Sequence, residues 1–316
     1  MDLKSFFTAH WEYLAVKTAC EMNIFDFIEQ GSFSLTSLAA KGKFDENFLH
    51  FLLQALHHSN FICYENEIKL TENGRILTEN HPKSLKYACI LWAEEHLAAW
   101  QNLSFSLKIG KPYFEMQGEK DYFGYIENND NELQIYHKAM YEYARDDYEK
   151  LPQLIDFSIH KAIIDVGGGL GALIEGIAKS YPQIKCYLFD KEEVVDLAED
   201  SIYEKLSGDF FYKLPKTADA LILSRVIHDW NDENALLILK NCYDALPANG
   251  KLYLIENNID NKDFRFALLN LNMKLMTSGR ERKLSEYQDL AQRQGFVFEK
   301  SVALNDLQIV LIFYKK

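Results

Sequence analysis

Four of the five residues in Gly167-Gly168-Gly169-Leu170-Gly171 are glycine; an apolar run, Ala162–Val166, precedes them and a helix-patterned stretch, Ala172–Ser180, follows. Glycine enters left-handed backbone conformations without steric cost and lets a ligand approach the main chain, so this placement marks the first crossover of a parallel α/β sheet with a cradle at its rim. Downstream, Lys185–Phe189, Ala220–Ser224 and Lys251–Ile255 are further apolar runs separated by helical segments, the pattern of a parallel sheet with crossover helices. Phe296–Ala303 and Gln308–Tyr314, joined by Leu304-Asn305-Asp306-Leu307, read as a terminal hairpin, which a plain dinucleotide fold lacks.

A chain of 316 residues has room for two domains, or for one with a large appendage. Ala9–Glu29, Leu35–Lys41 and Glu46–His58 read as helices; in the third, Phe48, Leu49, Leu52, Leu53 and Leu56 follow the candidate N-cap Asp45 on one buried face. Phe61–Tyr64 and Glu67–Leu70 read as short strands joined at Glu65-Asn66, with a helix through Gly74-Arg75-Ile76-Leu77. Three helices and a β-wing describe a winged helix, a fold that often binds DNA. Residues 1–85 carry seven Lys/Arg against eleven Asp/Glu, which leaves no phosphate-binding face, so a dimerisation element is expected. Residues 86–157 read as helices rich in aromatics, from Trp92 to Tyr143; most are expected in the core and the remainder in an aromatic substrate pocket. Residues 158–316 form the α/β domain.

The net charge of −13 and pI of about 5.2 disfavour nucleic acid and anionic membranes as partners. The five cysteines are scattered without a C-x-x-C pair and read as core thiols rather than a disulfide framework or a zinc site. The opening MDLKSFFTAHWEYLAV lacks a secretory pattern and no apolar stretch approaches the ~18 residues of a membrane span, so a cytoplasmic protein is expected.

Asp190 closes the strand after the glycine turn, 19 residues beyond Gly171, where a carboxylate can accept both hydroxyls of a ribose. Gly167-x-Gly169-x-x-Ala172 also satisfies the NAD fingerprint. The next strand end, Ser207-Gly208-Asp209-Phe210-Phe211, sets an acid to accept from an adenine amino group and Phe210 to pack on the ring. A pyrophosphate disfavours a cleft rich in carboxylates, whereas a sulfonium ligand with an amino-acid tail gains from one. His228, in Ser224-Arg-Val-Ile-His228-Asp-Trp230, falls at the C-terminal rim of the sheet, and Glu256 and Glu281 converge on the same rim. A histidine flanked by carboxylates is a candidate general base.

IIDVGGGLG, LFD, SGDFF, SRVIHDWNDENALLILKNCYDALPANGKLYLIEN and SGRERKLSEYQDLAQRQGF, with LTENGRIL and WQNLSFSLKIGKPYFE before them, resemble the bacterial and plant O-methyltransferases of the caffeate, hydroxyindole and phenazine-modifying type. The resemblance implies an α/β fold: a Rossmann-like class I methyltransferase sheet with a C-terminal antiparallel hairpin, preceded by a mostly α-helical winged-helix dimerisation domain. It implies a homodimer that binds S-adenosylmethionine at Gly167, Gly169, Asp190, Asp209 and Phe210, with Ser224 near the adenosyl group, and releases S-adenosylhomocysteine. His228 would be the base, with Glu256 and Glu281 beside it and no metal needed. Ser224 replaces a lysine of plant relatives, Lys191-Glu192 replaces Leu-Pro after Asp190, and the shorter stretch between Glu256 and Glu281 carries Asn270 and Lys274 where the pocket is expected. O-methylation of a small aromatic secondary metabolite leads; N-methylation of a heteroaromatic metabolite and a non-methylating relative are the alternatives. A ligand-sensing winged-helix regulator and an NAD oxidoreductase are disfavoured by the acidic first domain and the terminal hairpin.

Overall fold

A computed structural model of the chain describes residues 2–65, 67–199, 201–261, 264–277 and 279–316; Asn66, read above as part of the wing turn, and Ser278, which opens the string SGRERKLSEYQDLAQRQGF, lie outside them. Two compact units emerge, residues 1–98 with 138–143 and residues 99–137 with 144–316. The first holds α1 (Leu3–Glu21), α2 (Ile24–Glu29), α3 (Leu35–Gly42), α4 (Glu46–His58), β1 (Ile62–Tyr64), β2 (Ile68–Leu70), α5 (Glu72–Arg75) and α6 (Lys86–Leu91). The one helix expected over Ala9–Glu29 is two. Asn23 adopts φ 56°, a left-handed conformation that asparagine tolerates and an α-helix cannot continue through, and the chain restarts with Phe25 and Ile28 buried.

Asp45 accepts the Phe48 N–H at 2.9 Å and starts α4, which buries Leu49, Leu53 and Leu56 at i, i+4 and i+7. Phe48, expected on that face, is 80% exposed: one position before Leu49 is about 100° around the helix. β1 and β2 pair antiparallel, Ile62 opposite Leu70. The helix expected through Leu77 closes after one turn, where Gly74 lies so near the Phe61 carbonyl that a Cβ would come within 2.1 Å of its oxygen.

Short helices follow: α7 (Glu95–Gln101), α8 (Leu103–Ile109), α9 (Tyr113–Met116) and α10 (Tyr122–Glu127), then the long α11 (Asp130–Asp147) and the one-turn α12 (Leu151–Leu154). The α/β part runs β3 (Ala162–Val166), α13 (Ala172–Ser180), β4 (Lys185–Asp190), α14 (Glu192–Val195), β5 (Glu204–Ser207), β6 (Ala220–Ser224), α15 (Asp232–Ala245), β7 (Lys251–Asn257), α16 (Phe264–Met276), α17 (Leu284–Arg293), β8 (Phe296–Ala303) and β9 (Gln308–Lys315). Its seven-stranded sheet has the order β5-β4-β3-β6-β7-β9-β8, parallel through β7, with β9 antiparallel to β7 and β8 antiparallel to β9.

Successive side chains alternate between two apolar layers, as the pleat requires. Leu252 and Leu254 pack with Ile238 and Leu239 of α15, while Tyr253 and Ile255 pack with Ile174 and Ile177 of α13. Pairing with β9 carries β7 two residues past Ile255, so Glu256 stands inside the strand opposite Ile309. Cys20, Cys186 and Cys242 are buried thiols as expected, but Cys63 on β1 is exposed and Cys89 half-buried. Among the described residues no helix is long and apolar enough to cross a membrane.

Candidate active site

The turn after β3 is built from left-handed glycines: Gly167 at φ 70° and Gly169 at φ 57° lie in a region that penalises any side chain. The main chain there faces β4. Gly167 N–H donates to the Phe189 carbonyl at 2.8 Å, and Gly169 N–H to Asp190 Oδ2 at 2.9 Å. Lys191 N–H takes the other Asp190 oxygen at 2.8 Å. Burial pushes Asp190 up to about 6 against the pull of these two N–H groups. Lys191-Glu192 does not disturb the turn: Lys191 is extended, its ammonium pairs with Glu127, and α14 begins at Glu192.

Asp165, inside the Ala162–Val166 run and the string IIDVGGGLG, is a candidate site residue that the sequence reading left without a role. It is 1% exposed, and its Oδ2 meets no hydrogen-bond donor among the described residues. Burial, with the charge of Asp190, raises it to about 7. An unsatisfied buried carboxylate oxygen beside a side-chain-free turn suits a ligand that brings a donor, such as an ammonium.

Phe210 packs against the same turn, its ring 3.5 Å from where a Gly167 Cβ would stand. Asp209 holds the loop by accepting the Phe211 N–H at 2.8 Å. The sheet thus brings Gly167, Gly169, Asp190 and Phe210 together, with Asp209 adjacent in the chain. Ser224 ends β6, and its hydroxyl donates to Tyr148 at 2.6 Å. These groups fit an adenosyl ligand: a carboxylate for the ribose, an aromatic face for the base and an orphan acceptor for an amino group.

After β6 the chain turns through Arg225, whose φ of 52° is strained for a residue with a Cβ, into the 3-10 turn Ile227–Asp229 that carries His228. His228 Nδ1 lies 2.8 Å from Glu281 Oε1 and 3.9 Å from Glu256 Oε2; on the other edge of the ring, Nε2 lies 3.7 Å from Asp229 Oδ1. Burial alone would lower the ring's proton affinity, but Glu281, Asp229 and Glu256 outweigh it and raise His228 to about 10. Burial raises Glu256 to about 7; Glu281, also buried, is nevertheless held below the usual carboxylate range by the charge and hydrogen bond of His228 and by the amide of Asn257. Nδ1, Glu256 and Glu281 also place one ligand atom each within 4.8 Å, a spacing a metal would accept. The 2.8 Å separation of Nδ1 and Oε1 is that of a hydrogen bond around a proton.

Of the groups that support this pair, the sequence singled out only Asn270, and as a pocket residue rather than as a partner of Glu281. Asn257 Nδ2 donates to Glu281 Oε1 at 2.7 Å, and Asn270 Oδ1 accepts the Glu281 N–H at 2.7 Å. Fully buried Arg282 donates to the carbonyls of Ile227 and Trp230 and clamps the histidine turn. Gly279 passes so close that a Cβ would lie 2.0 Å from the His228 carbonyl oxygen. Lys274 is exposed. Of the aromatics, Phe114 and Tyr122 are core, while Trp100, Phe123 and Tyr136 are half-buried; Phe123 stacks on Trp230 at 5.6 Å, and Trp100 donates to Asn272 at 2.9 Å.

A parallel sheet with an antiparallel hairpin, a glycine turn and acids at successive strand ends defines a class I methyltransferase fold. Comparison carries this to the family. Residues 100–297 match the O-methyltransferase domain model and residues 5–79 the O-methyltransferase dimerisation domain model. The chain belongs to the S-adenosylmethionine-dependent O-methyltransferase family. It is 28% identical to a phenazine O-methyltransferase of Lysobacter antibioticus over 93% of this chain and 89% of that one. It is 30% identical to cephaeline 6'-O-methyltransferase of Carapichea ipecacuanha (90% and 87%) and 27% to phenazine-1-carboxylate N-methyltransferase of Pseudomonas aeruginosa (94% and 92%). The crystal structure of LaPhzM superposes with a TM-score of 0.92 at 25% identity, covering 99% of this chain and 98% of that one. Human N-acetylserotonin methyltransferase in complex with S-adenosylmethionine shares the fold, at 0.88 and 24% identity over 99% and 96%.

Proposed function

We propose that the chain methylates a hydroxyl of a small aromatic secondary metabolite, with His228 as general base. The observation that carries this is the buried 2.8 Å pair of His228 and Glu281 on the rim that bears the glycine turn. When bound, S-adenosylmethionine supplies an electrophilic methyl group on a cationic sulfonium. Gly167 and Gly169 leave room for it, Asp190 takes the ribose hydroxyls, Asp209 the adenine amino group, Phe210 the adenine face, and Ser224 lines the adenosyl side. Glu281 holds the Nδ1 proton, which leaves Nε2 to take the proton of the acceptor hydroxyl, and Glu256 adds charge that stabilises the imidazolium so formed. Positioning and this base carry the reaction without a metal. Incubating the protein with methyl-labelled cofactor and paired panels of hydroxy- and amino-aromatics tests the reading: label on oxygen supports it, and label confined to nitrogen refutes it.

One observation favours nitrogen as acceptor instead. Three carboxylates raise His228 to about 10, so in the free protein at neutral pH the ring is an imidazolium and accepts nothing. A cation in the same cleft lowers that affinity, and the two readings then differ in pH dependence. With a hydroxyl acceptor at saturating cofactor, kcat/KM rises with pH until His228 is deprotonated. Glu281→Gln removes a negative charge, lowers the ring's proton affinity and moves that limb to lower pH, whereas Asn257→Leu leaves Glu281 more basic and moves it higher. Profiles of all three proteins that superpose would refute the general base.

Residues 1–85 are proposed to dimerise the chain, 86–157 to contribute the acceptor pocket and 158–316 to bind the cofactor. The apolar side chains left outward on the first unit, Phe6, Phe7 and Trp11 of α1 with Phe48 and Phe51 of α4, support the first of these roles. Phe48→Glu with Phe51→Glu should yield a folded monomer by light scattering at micromolar concentration; a dimer of wild-type stability would count against this interface. A cytoplasmic protein that binds neither nucleic acid nor membrane accords with the net charge of −13.

A further inference from the structure

Three polar side chains stand nearest the positions where side chains would grow from the glycine turn, and each has a distinct state. Around the positions where side chains would grow from it stand Phe210 and Val226 at Gly167, Asp165 and Leu188 at Gly168, His137 at Gly169 and Tyr203 at Gly171. Asp165 brings a buried carboxylate oxygen without a donor. The Tyr203 hydroxyl donates to the Leu170 carbonyl at 3.2 Å. His137, from α11, reaches in with Nδ1 3.5 Å from the position a Gly169 Cβ would take.

His137 is half-buried, and among the described residues its ring nitrogens have no hydrogen-bond partner; its recorded neighbour is the Tyr136 ring, edge-on at 5.1 Å. Burial lowers it to about 4, so at neutral pH the ring is uncharged, with one N–H to give and one lone pair to receive. Its unpartnered ring nitrogens are not sealed in the core, so a ligand lying in the cradle can reach them.

Charge decides which part of the cofactor that is. Asp165 and Asp190 suit the ammonium and the ribose hydroxyls and repel a carboxylate, which needs a donor. Of the polar side chains nearest those positions, His137 brings an uncommitted N–H, while the Tyr203 hydroxyl is spent on the Leu170 carbonyl. We propose that His137 binds the amino-acid end of S-adenosylmethionine, its ring N–H donating to the α-carboxylate. This rests on the cofactor site read above.

The test is calorimetry on the full-length protein with S-adenosylhomocysteine and with 5'-methylthioadenosine, which keeps adenine and ribose but lacks the amino-acid tail. His137→Ala should weaken S-adenosylhomocysteine by about 10- to 100-fold, the weight of a hydrogen bond to a charged group, and leave 5'-methylthioadenosine within about twofold. His137→Gln, which keeps an N–H, should recover part of the loss. Independently of any variant, the His137 ring nitrogen resonances should move when wild-type protein binds S-adenosylhomocysteine and stay when it binds 5'-methylthioadenosine. Equal losses for both ligands in His137→Ala, or none, overturn the proposal. Asp190→Ala separates the two failures: if it weakens both ligands while His137→Ala is silent, the histidine assignment alone is wrong, and if neither variant changes affinity, the cofactor site itself is misplaced.

Discussion

His228→Ala should lower single-turnover methyl transfer to a hydroxyl by about 10²- to 10⁴-fold, the usual contribution of a positioned base, while leaving affinity for S-adenosylhomocysteine near wild type. The split follows from where the side chain sits. Its side chain faces Glu281, Glu256 and Asp229 and is not among the groups nearest the glycine turn, so truncation should remove the proton acceptor without opening the proposed nucleoside site. Rapid-quench transfer of a labelled methyl group, run beside calorimetry on the same preparation, reads both quantities. Turnover within about threefold of wild type would exclude a working base, given the 10²-fold floor, and would transfer the assignment to a nitrogen acceptor.

Asp190→Ala should weaken S-adenosylhomocysteine by about 10²-fold or more, because two charge-assisted hydrogen bonds to a ribose diol are each worth about 1.5–3 kcal/mol. Asp190→Asn separates that loss from damage to the turn. Asp190 is raised to about 6 in the folded chain, so the stability linked to its protonation is fully present below its unfolded value and is lost as pH rises through 6; at pH 7 the buried charge is a burden. The asparagine removes the charge and keeps an acceptor for the Gly169 N–H; the loss of the Lys191 N–H bond is offset by the loss of the buried charge. The free variant should therefore melt close to wild type while its ligand-induced thermal shift collapses. A ligand shift equal to wild type would show that the ribose lies elsewhere.

Much of this arrangement was readable along the chain because its causes are local. A buried five-residue run, a string of glycines and a helical stretch specify strand, turn and helix within some twenty residues, and the β8–β9 hairpin is joined by the four residues expected. Asn231, of a residue type that favours helix starts, caps α15 by accepting the Asn234 N–H at 2.9 Å. Errors fell where two local signals compete. Apolar periodicity runs through Asn23 and predicts a continuous helix, but the left-handed angle at that residue prevails, and Phe48 belongs to the apolar pattern of α4 while pointing away from its core.

From sequence alone came the order of the strands of the α/β sheet along the chain, the cradle, and the arrival of His228, Glu256 and Glu281 at one edge of the sheet. Tertiary structure decided which of these groups touch. Glu281 is 53 residues from His228, and its bond to the ring depends on Asn270 gripping its N–H, Asn257 sharing its oxygen, and a loop passing at Gly279 where no side chain fits. Asp165 looks like any acid beside a glycine turn until burial leaves one of its oxygens without a donor, and His137 like any helical histidine until α11 sets it against Gly169. Propensity and periodicity act over one or two turns of chain. The proton affinity of a buried group is set by whatever the fold brings within a few ångströms, and strand order, which no short segment encodes, determines that company.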